Sequence, residues 1–309
     1  MIINKTTISP GEPVTLELNV SKLPSGTPIS IYAHIFKSVN PGPTILLTGG
    51  VHGDEINGVE IVRRAVDRGL FTDLHCGTII AIPLVNVYGF INFSRDLPDG
   101  KDVNRSFPGS STGSLASRVA DTITKHIIPH IDYGIDFHTG GSSIHNHPQI
   151  RVFKSDDESL KLASIFSPPL IIQTGLISKS FRKECFNRKI PMIVFEGGES
   201  LRIDNYSIRE GINGIKRVLG HFNMVSEKLP EQKSQIFTNH KWLRASTSGI
   251  FVAKKITGTW VNKGDELGFI TDPYSTKKTK IISKQRSYIF GHENRPVVNQ
   301  GKALFHIAY

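Results

Sequence analysis

His52 and Glu55 stand three residues apart in "ILLTGGVHGDEINGVEIVRR", residues 45–64. An apolar run ends there in two glycines, and a helical pattern follows. A two-residue gap lets a turn bring an imidazole and a carboxylate to one metal ion. A second histidine, His138, ends another apolar run in "DFHTGG", and Glu196 ends a third in "FEGGE". Catalytic zinc sites commonly use three nitrogen or oxygen ligands and keep a fourth position for water. His52, Glu55 and His138 make such a set, expected to hold one Zn²⁺ per chain. Glu196 is left over, as a general base for water on the metal must be. That water has a pKa near about 7 and is a usable nucleophile. Asp136 lies two residues before His138 on the same strand face, where it can orient a ligand. Each residue also has a plainer reading. A surface H-x-x-E is usually just polar, His138 could be a satisfied core histidine, and Glu196 could cap a turn. The shared position at the ends of apolar runs, beside glycine pairs, favours the site.

Such a site needs elements that bring its parts together. From Thr44 onward, continuous apolar runs alternate with helical segments. "TILLTG", "TIIAIPL", "YGIDFH" and "PMIVFEG" read as strands buried on both faces. "INGVEIVRRAVDRG", "LASRVADTITKHII" and "IREGINGIKRVLGHF" read as helices. The alternation predicts an α/β domain with a mostly parallel sheet flanked by helices. In open α/β sheets, ligands bind outside the carboxyl ends of the strands, where the four candidates lie. Residues 1–40 read as an N-terminal β extension, with "VTLELNV" and "SIYAHIF" split by the turn-rich "SKLPSGTP". The first domain is placed at residues 1–230, and the polar stretch 226–240 reads as a linker.

Residues 241–309 read as an all-β domain. Two halves each carry a strand, "VNKG" or "VNQG", then a short apolar strand. The repeat resembles the barrel-sandwich fold of lipoyl and biotinyl carrier domains. Those carriers display a modified lysine in a hairpin flanked by methionine or acidic residues. The intervening "TDPYSTKKTK" marks no single lysine, so a lid or docking module without a cofactor is expected.

The chain of 309 residues allows one large domain or two of moderate size, and a hydrophobic fraction of 38% fills a core. No apolar run nears the roughly 18 residues of a membrane span, so no membrane partner is expected. "MIINKTTISPGEP" lacks the basic start and apolar core of a secretory signal. Two cysteines, Cys76 and Cys185, make no disulfide framework. A cytoplasmic location is therefore the expectation. The formal net charge is +10. Its densest patch, "STKKTKIISKQR", is short and has no interleaved aromatics, which argues against a nucleic-acid partner. A field that draws in a small anionic substrate is the better use of the charge. Self-association into a homo-oligomer stays open.

Residues 86–109, "NVYGFINFSRDLPDGKDVNRSFPG", form a long Gly/Pro-rich loop containing Arg95, Asn104 and Arg105. A guanidinium fits a carboxylate in bidentate fashion, and one near the metal can stabilise the oxyanion of a tetrahedral intermediate. An arginine in a loop is more often a solvated charge. "DVNRSFPG", however, looks built to hold one geometry. "HTGGSSIHNHPQIR" adds His145 and His147, an H-x-H pair. They raise the question of a second metal, but polar loop residues lining the pocket are the expectation. Arg151 in the same stretch can add a contact for an anionic substrate.

The motifs "GGVHGDE-x-N-G", "SRDLPDGKDVNRSFPG", "DFHTG" and "FEGG" occur in the order and approximate spacing of the succinylglutamate desuccinylase/aspartoacylase family. That family belongs with the zinc carboxypeptidases. The resemblance covers roughly residues 40–220, and the C-terminal β region also resembles that family's second domain. It implies a carboxypeptidase-like fold, with His52, Glu55 and His138 on zinc. It implies Glu196 as general base and acid, Arg95 as carbonyl polariser, and Asn104 with Arg105 as the grip on a substrate carboxylate. It also implies a second domain that narrows the site toward small acyl-amino acids.

The reading is a zinc-dependent deacylase that removes an acyl group from the nitrogen of a small carboxylate-bearing compound, with ester bonds also accessible. A metallocarboxypeptidase or peptidoglycan-type peptidase is the runner-up; an open groove would favour it over a capped pocket. The third reading is a binding module that keeps the fold without catalysis. The intact set of His52, Glu55, His138, Arg95 and Glu196 argues against that.

Overall fold

The four apolar runs form adjacent strands at the centre of the molecule. The computed structural model describes residues 1–22, 25–274 and 276–309. Its first strands are β1 (Ile2–Ile3), β2 (Thr6–Thr7), β3 (Val14–Lys22), β4 (Pro28–Lys37), β5 (Thr44–Gly49) and β6 (Thr78–Ile82). β7 (Tyr133–Gly140), β8 (Ile144–Phe153), β9 (Leu170–Thr174) and β10 (Met192–Glu199) follow. The helices are α1 (Ile56–Asp67), α2 (Val87–Ile91), α3 (Leu115–His126), α4 (Asp157–Phe166), α5 (Phe181–Asn187) and α6 (Asn205–His221). The C-terminal strands are β11 (Gln235–Phe237), β12 (His240–Arg244), β13 (Gly249–Ala253), β14 (Thr259–Val261) and β15 (Glu266–Thr271). They end with β16 (Lys278–Ile282), β17 (Ser287–Glu293), β18 (Val297–Val298) and β19 (Ala303–Ala308).

β10, β7, β5 and β6 lie side by side and parallel. Every residue of β5 and β6 is buried, which explains their unbroken apolar sequence. Alternate side chains serve opposite faces. Leu46, Ile80 and Ile82 join one core with α3 and α5, while Ile45, Leu47 and Ile79 join another with α1, α4 and α6. The sheet is mixed overall, because β4 adds antiparallel to β6 and β8 adds antiparallel to β10. β3 and β4 are therefore the far edge of the main sheet. The connection between them includes Leu23 and Pro24, which lie outside the described residues.

β8 is a ten-residue strand where a polar loop was expected. "IHNHPQIRVF" has no apolar period and contains Pro148. Its backbone is satisfied by neighbours remote in sequence. Ile144, His145 and Asn146 face β17, and Gln149 to Phe153 face β9. The β8–β17 pairing carries the 13-stranded sheet into β17, β19 and β12 of the C-terminal region. A second sheet of four strands, β16, β15, β13 and β18, shares an apolar cluster with it. Phe251, Leu267 and Ile270 from the second sheet meet Ile289, Phe305 and Ile307 from the first.

The stretch read as a linker is tied down. β11 pairs parallel with β9, and the Gln232 backbone N–H donates to Ser167 Oγ at 2.7 Å. The lysine-rich connection of the carrier-like repeat joins two antiparallel strands, β15 and β16, and includes Ser275, which is not described. Lys278 lies 3.9 Å from the centre of the Phe269 ring, and Lys280 pairs with Glu266 at 3.3 Å.

α1 rests directly on the backbone of β7, because Gly58 has no side chain. A Cβ there would meet the Phe137 carbonyl oxygen at 2.1 Å. In a helix, alanine is ordinarily about 1 kcal/mol more favourable than glycine. Here overpacking, typically costing about 1–3 kcal/mol, reverses the sign. Gly58→Ala is expected to lower unfolding stability in a denaturant titration. A stability equal to or above that of the wild type would contradict this contact.

Candidate active site

The carboxyl ends of β5, β7 and β10 deliver the candidate residues to one place. After β5, the chain turns through Gly50, whose φ of +61° suits glycine. His52 and Glu55 follow just before α1. On the neighbouring strands, His138 of β7 stands in register with Glu196 of β10, which stands in register with Gln149 of β8. Residues in register across a sheet share a face, so His138 and Glu196 address the same space.

His52 Nδ1 lies 2.8 Å from Glu55 Oε1 and 3.1 Å from His138 Nδ1, and His138 Nδ1 lies 2.8 Å from Glu55 Oε2. All three residues are at most 3% exposed. Two imidazole nitrogens and a carboxylate thus crowd one point. Among the described residues, this is the one group of three or more His, Cys, Asp or Glu side chains that could hold a metal ion. Nitrogen and oxygen donors without thiolate suit a divalent cation of the zinc type.

The outer nitrogens are held as well. His138 Nε2 lies 2.7 Å from Asp136 Oδ2, and His52 Nε2 lies 3.2 Å from Asp102 Oδ1. A carboxylate on the outer nitrogen fixes the tautomer, so that the inner lone pair faces the shared point. Asp136 is itself fixed by Thr48 Oγ1, which donates to its Oδ1 at 2.7 Å. The Thr139 backbone N–H donates to Glu55 Oε2 at 3.0 Å. Burial opposes charge on His138, but the Asp136 and Glu55 carboxylates outweigh it and hold the imidazole well above its usual range. Burial likewise opposes ionisation of Glu55, and the two imidazoles overcome it, keeping that carboxyl well below its usual range.

Asp102 is a hub that the sequence reading did not single out. Besides His52, its carboxylate accepts from Arg95 Nη2 at 2.9 Å and from the Asn104 backbone N–H at 2.7 Å. Burial pushes the Asp102 carboxyl up, but His52 and Arg95 hold it well below the usual range. The available signal was its place as the cap before the turn Val103–Arg105. Arg95 Nη1 completes the link, 3.2 Å from Glu55 Oε1 and 3.3 Å from His52 Nδ1.

Glu196 stands across from this cluster. Asn146 Nδ2 donates to its Oε2 at 3.0 Å, and Arg151 Nη1 lies 3.3 Å from its Oε1. His52, Glu55, His138, Glu196, Arg95, Asn104, Arg105 and Arg151 all line one cavity of about 410 Å³. The DVNRSFPG loop is braced by the Phe107 ring stacked on Phe181 at 4.6 Å. Asn104 Oδ1 accepts the Phe181 backbone N–H at 2.9 Å, which fixes the start of α5.

That bond also places Arg182, a pocket residue the sequence did not reveal. Arg182 Nη2 donates to Thr174 Oγ1 and to the Gly175 carbonyl, each at 3.0 Å, while its buried Nη1 has no partner among the described residues. Burial, and then the neighbouring Arg151 charge, pull this guanidinium down to about 10, so it stays a cation at neutral pH. Trp242 of β12 closes another part of the wall.

His145 and His147 are not among the cavity-lining residues. His145 bridges Asp204 Oδ2 and Thr257 Oγ1, each at 3.0 Å. His147 sits among the Tyr206 and Tyr288 rings, and burial, then His145, push it down to about 4.

Comparison with known proteins converges on one family. The model for the succinylglutamate desuccinylase/aspartoacylase catalytic domain matches residues 41–222. An N-alpha-acetyl-L-2,4-diaminobutyric acid deacetylase from Halomonas elongata is 31% identical over 198 residues, which is 61% of this chain and 57% of that protein. The aligned part thus spans little more than half of this relative's length. A crystal structure of a succinylglutamate desuccinylase/aspartoacylase from Rhodobacter sphaeroides shares the fold, with a TM-score of 0.85 and 24% identity over 96% of this chain and 95% of that one. An aspartoacylase family protein from Mesorhizobium loti superposes with a TM-score of 0.84 at 25% identity, covering 97% of this chain and 95% of that one.

The carboxylates behind the imidazoles generate a test. Asp136→Asn is expected to weaken zinc binding about 10- to 100-fold, measured by competition with a chromophoric chelator. Arg151→Met, which removes a group that touches Glu196, is expected to leave that affinity unchanged. Equal affinity in wild type and Asp136→Asn would contradict the orienting role.

Proposed function

We propose that this chain, which belongs to the succinylglutamate desuccinylase/aspartoacylase family, is a zinc-dependent deacylase acting on small N-acyl amino acids. The observation that carries the reading is the convergence of the candidate residues on one cavity. In it, two imidazole Nδ1 atoms and the Glu55 carboxylate meet at one point, with Glu196 and several guanidiniums around them. His52, Glu55 and His138 would hold the ion. When bound, zinc supplies a Lewis acid for the acyl carbonyl and lowers the pKa of water. The rest falls to the chain's own groups.

Glu196 is the general base and then the acid. It takes a proton from the attacking water and returns one to the leaving amine. Asn146 and Arg151 hold its carboxylate in place before substrate arrives. Arg95 lies against the ligand cluster, where its guanidinium can stabilise the developing oxyanion. Arg105 and Arg182 have no carboxylate within ion-pair distance among the described residues, and both line the cavity. They are the sites for a substrate carboxylate, with Asn104 beside them and Arg151 as a further cation.

A cavity of about 410 Å³ suits a small acyl compound, and a deacetylase among the relatives points the same way. Zinc-loaded protein incubated with a panel of N-acyl amino acids is expected to release free amine, and a chelator should abolish the release. Cleavage of C-terminal residues from peptides, with no action on the panel, would favour a carboxypeptidase instead.

Glu196→Gln is expected to keep the metal and lower kcat by about 10²- to 10⁴-fold. Near-normal turnover would place the base elsewhere. Arg182→Met removes a charged hydrogen-bond donor, a contact worth about 1.5–3 kcal/mol. It should raise KM roughly ten- to hundred-fold with little change in kcat. A fall in kcat at unchanged KM would overturn the binding role.

A further inference from the structure

Nearly all of the cavity is built by the α/β part of the chain. Among the described residues that line it, only Trp242 comes from beyond Glu196. The C-terminal β region therefore touches this cavity through one side chain. That side chain is braced. Trp242 on β12 stands in register with His306 on β19, and their rings stack with centroids 4.1 Å apart at 19°. The Phe290 ring lies against His306, with centroids again 4.1 Å apart and the planes tilted by 34°. His306 Nε2 is fixed by His240 Nδ1 at 3.0 Å. Phe290 is fully buried and His306 nearly so. Burial, then Arg151 and His240, push the His306 imidazole down to about 2, so it stays neutral and acts as a stacking ring. An indole stacked on a ring that is itself packed and hydrogen-bonded is a stiff wall.

We propose that Trp242 is a specificity-determining residue that limits the length of the acyl group the pocket accepts. The inference rests on the deacylase reading above and deepens it. The charged groups of the pocket have other tasks. Arg105 and Arg182, without a carboxylate partner among the described residues, are the sites for the substrate carboxylate, Arg151 pairs with Glu196 beside them, and Arg95 pairs with Glu55 and Asp102 at the ligand cluster. An uncharged acyl chain needs an apolar surface; Ile144, Ile177 and Val194 offer aliphatic patches of it, and Trp242 is the one aromatic side chain besides the two imidazoles among the described lining residues. Because the indole is backed by the His306 ring, a chain that reaches it has no room for further methylenes. Discrimination by a rigid apolar wall amounts to about ten-fold or more per added methylene that does not fit.

The test compares kcat/KM for the N-acetyl, N-butyryl and N-hexanoyl forms of one amino acid that the wild type hydrolyses. In Trp242→Ala, the hexanoyl-to-acetyl ratio is expected to rise at least about ten-fold. Zinc content should stay unchanged, because Trp242 touches none of the ligands. A purely structural role would lower all three values together and leave the ratio in place, which would overturn the proposal. Should Trp242→Ala fail to fold, Trp242→Phe keeps a ring on His306 and is expected to shift the ratio in the same direction by a smaller factor. No shift in that variant counts against the proposal.

A second readout does not depend on turnover. The chain has two tryptophans, and Trp260 is not a cavity residue. In a Trp260→Phe, Glu196→Gln protein, Trp242 is the sole indole. Titration with the longest N-acyl substrate that the wild type hydrolyses is expected to change its emission. Binding seen by calorimetry with no change in emission would overturn contact between Trp242 and the acyl group. If the wild type hydrolyses none of the panel, the deacylase reading fails and this proposal falls with it. If the wild type is active and the ratio is unmoved, only this proposal fails.

Discussion

Two carboxylates, the buried Asp136 and the half-buried Asp102, each grip the outer nitrogen of an imidazole, and the arrangement of the site depends on that grip. An imidazole free to rotate offers its lone pair in many directions. With Asp136 on His138 Nε2 and Asp102 on His52 Nε2, both Nδ1 atoms turn inward, toward Glu55. The two carboxylates are anchored by different means. Asp136 is set by the β5–β7 register, which places Thr48 opposite it to donate a hydrogen bond. Asp102 is set by the loop, through the Asn104 backbone and Arg95. The loop in turn is pinned by the Phe107–Phe181 stack and the Asn104–Phe181 hydrogen bond. Sheet geometry and loop packing therefore end at the same point. A buried charge without such partners would cost several kcal/mol, so the charged groups hold one another in place.

The pocket's electrostatics follow from the same pairing. Arg95 and Arg151 are partly neutralised by Glu55, Asp102 and Glu196. Arg105 and Arg182 are not, among the described residues. The second of these is buried with a donor nitrogen unpaired. In a region of low dielectric, an unpaired guanidinium attracts an anion far more strongly than one in water. The formal net charge of +10 adds a field at longer range, which salt screens over about 8–10 Å.

The central strands were legible in the sequence because burial on both faces leaves continuous apolar runs. α1, α3 and α6 were legible because their apolar residues repeat at helical spacing. His52, Glu55, His138 and Glu196 stood out because each follows such a run and sits beside glycines, and the structure brings them to one cavity. β8 was not legible. Its hydrogen bonds come from β9, β10 and β17, and its polar side chains serve the cavity and the junction with the C-terminal strands, so no period survives. Asp102 was hidden because an aspartate before a short turn looks like an ordinary cap, and it is also that. Arg182 and Trp242 were hidden for a different reason. Only the tertiary fold carries α5 and β12 to the pocket, and neither residue has a local neighbour that marks it.

The point between His52, Glu55 and His138 is the proposed zinc site. Anomalous diffraction at the zinc edge, from crystals grown with one equivalent of zinc, tests it most directly. One strong peak per chain is expected, bound by Nδ1 of both histidines at about 2.0–2.1 Å and by a Glu55 oxygen at about 2.0–2.2 Å. Density there without an anomalous signal, or a signal on the Nε2 side of either imidazole, would contradict it.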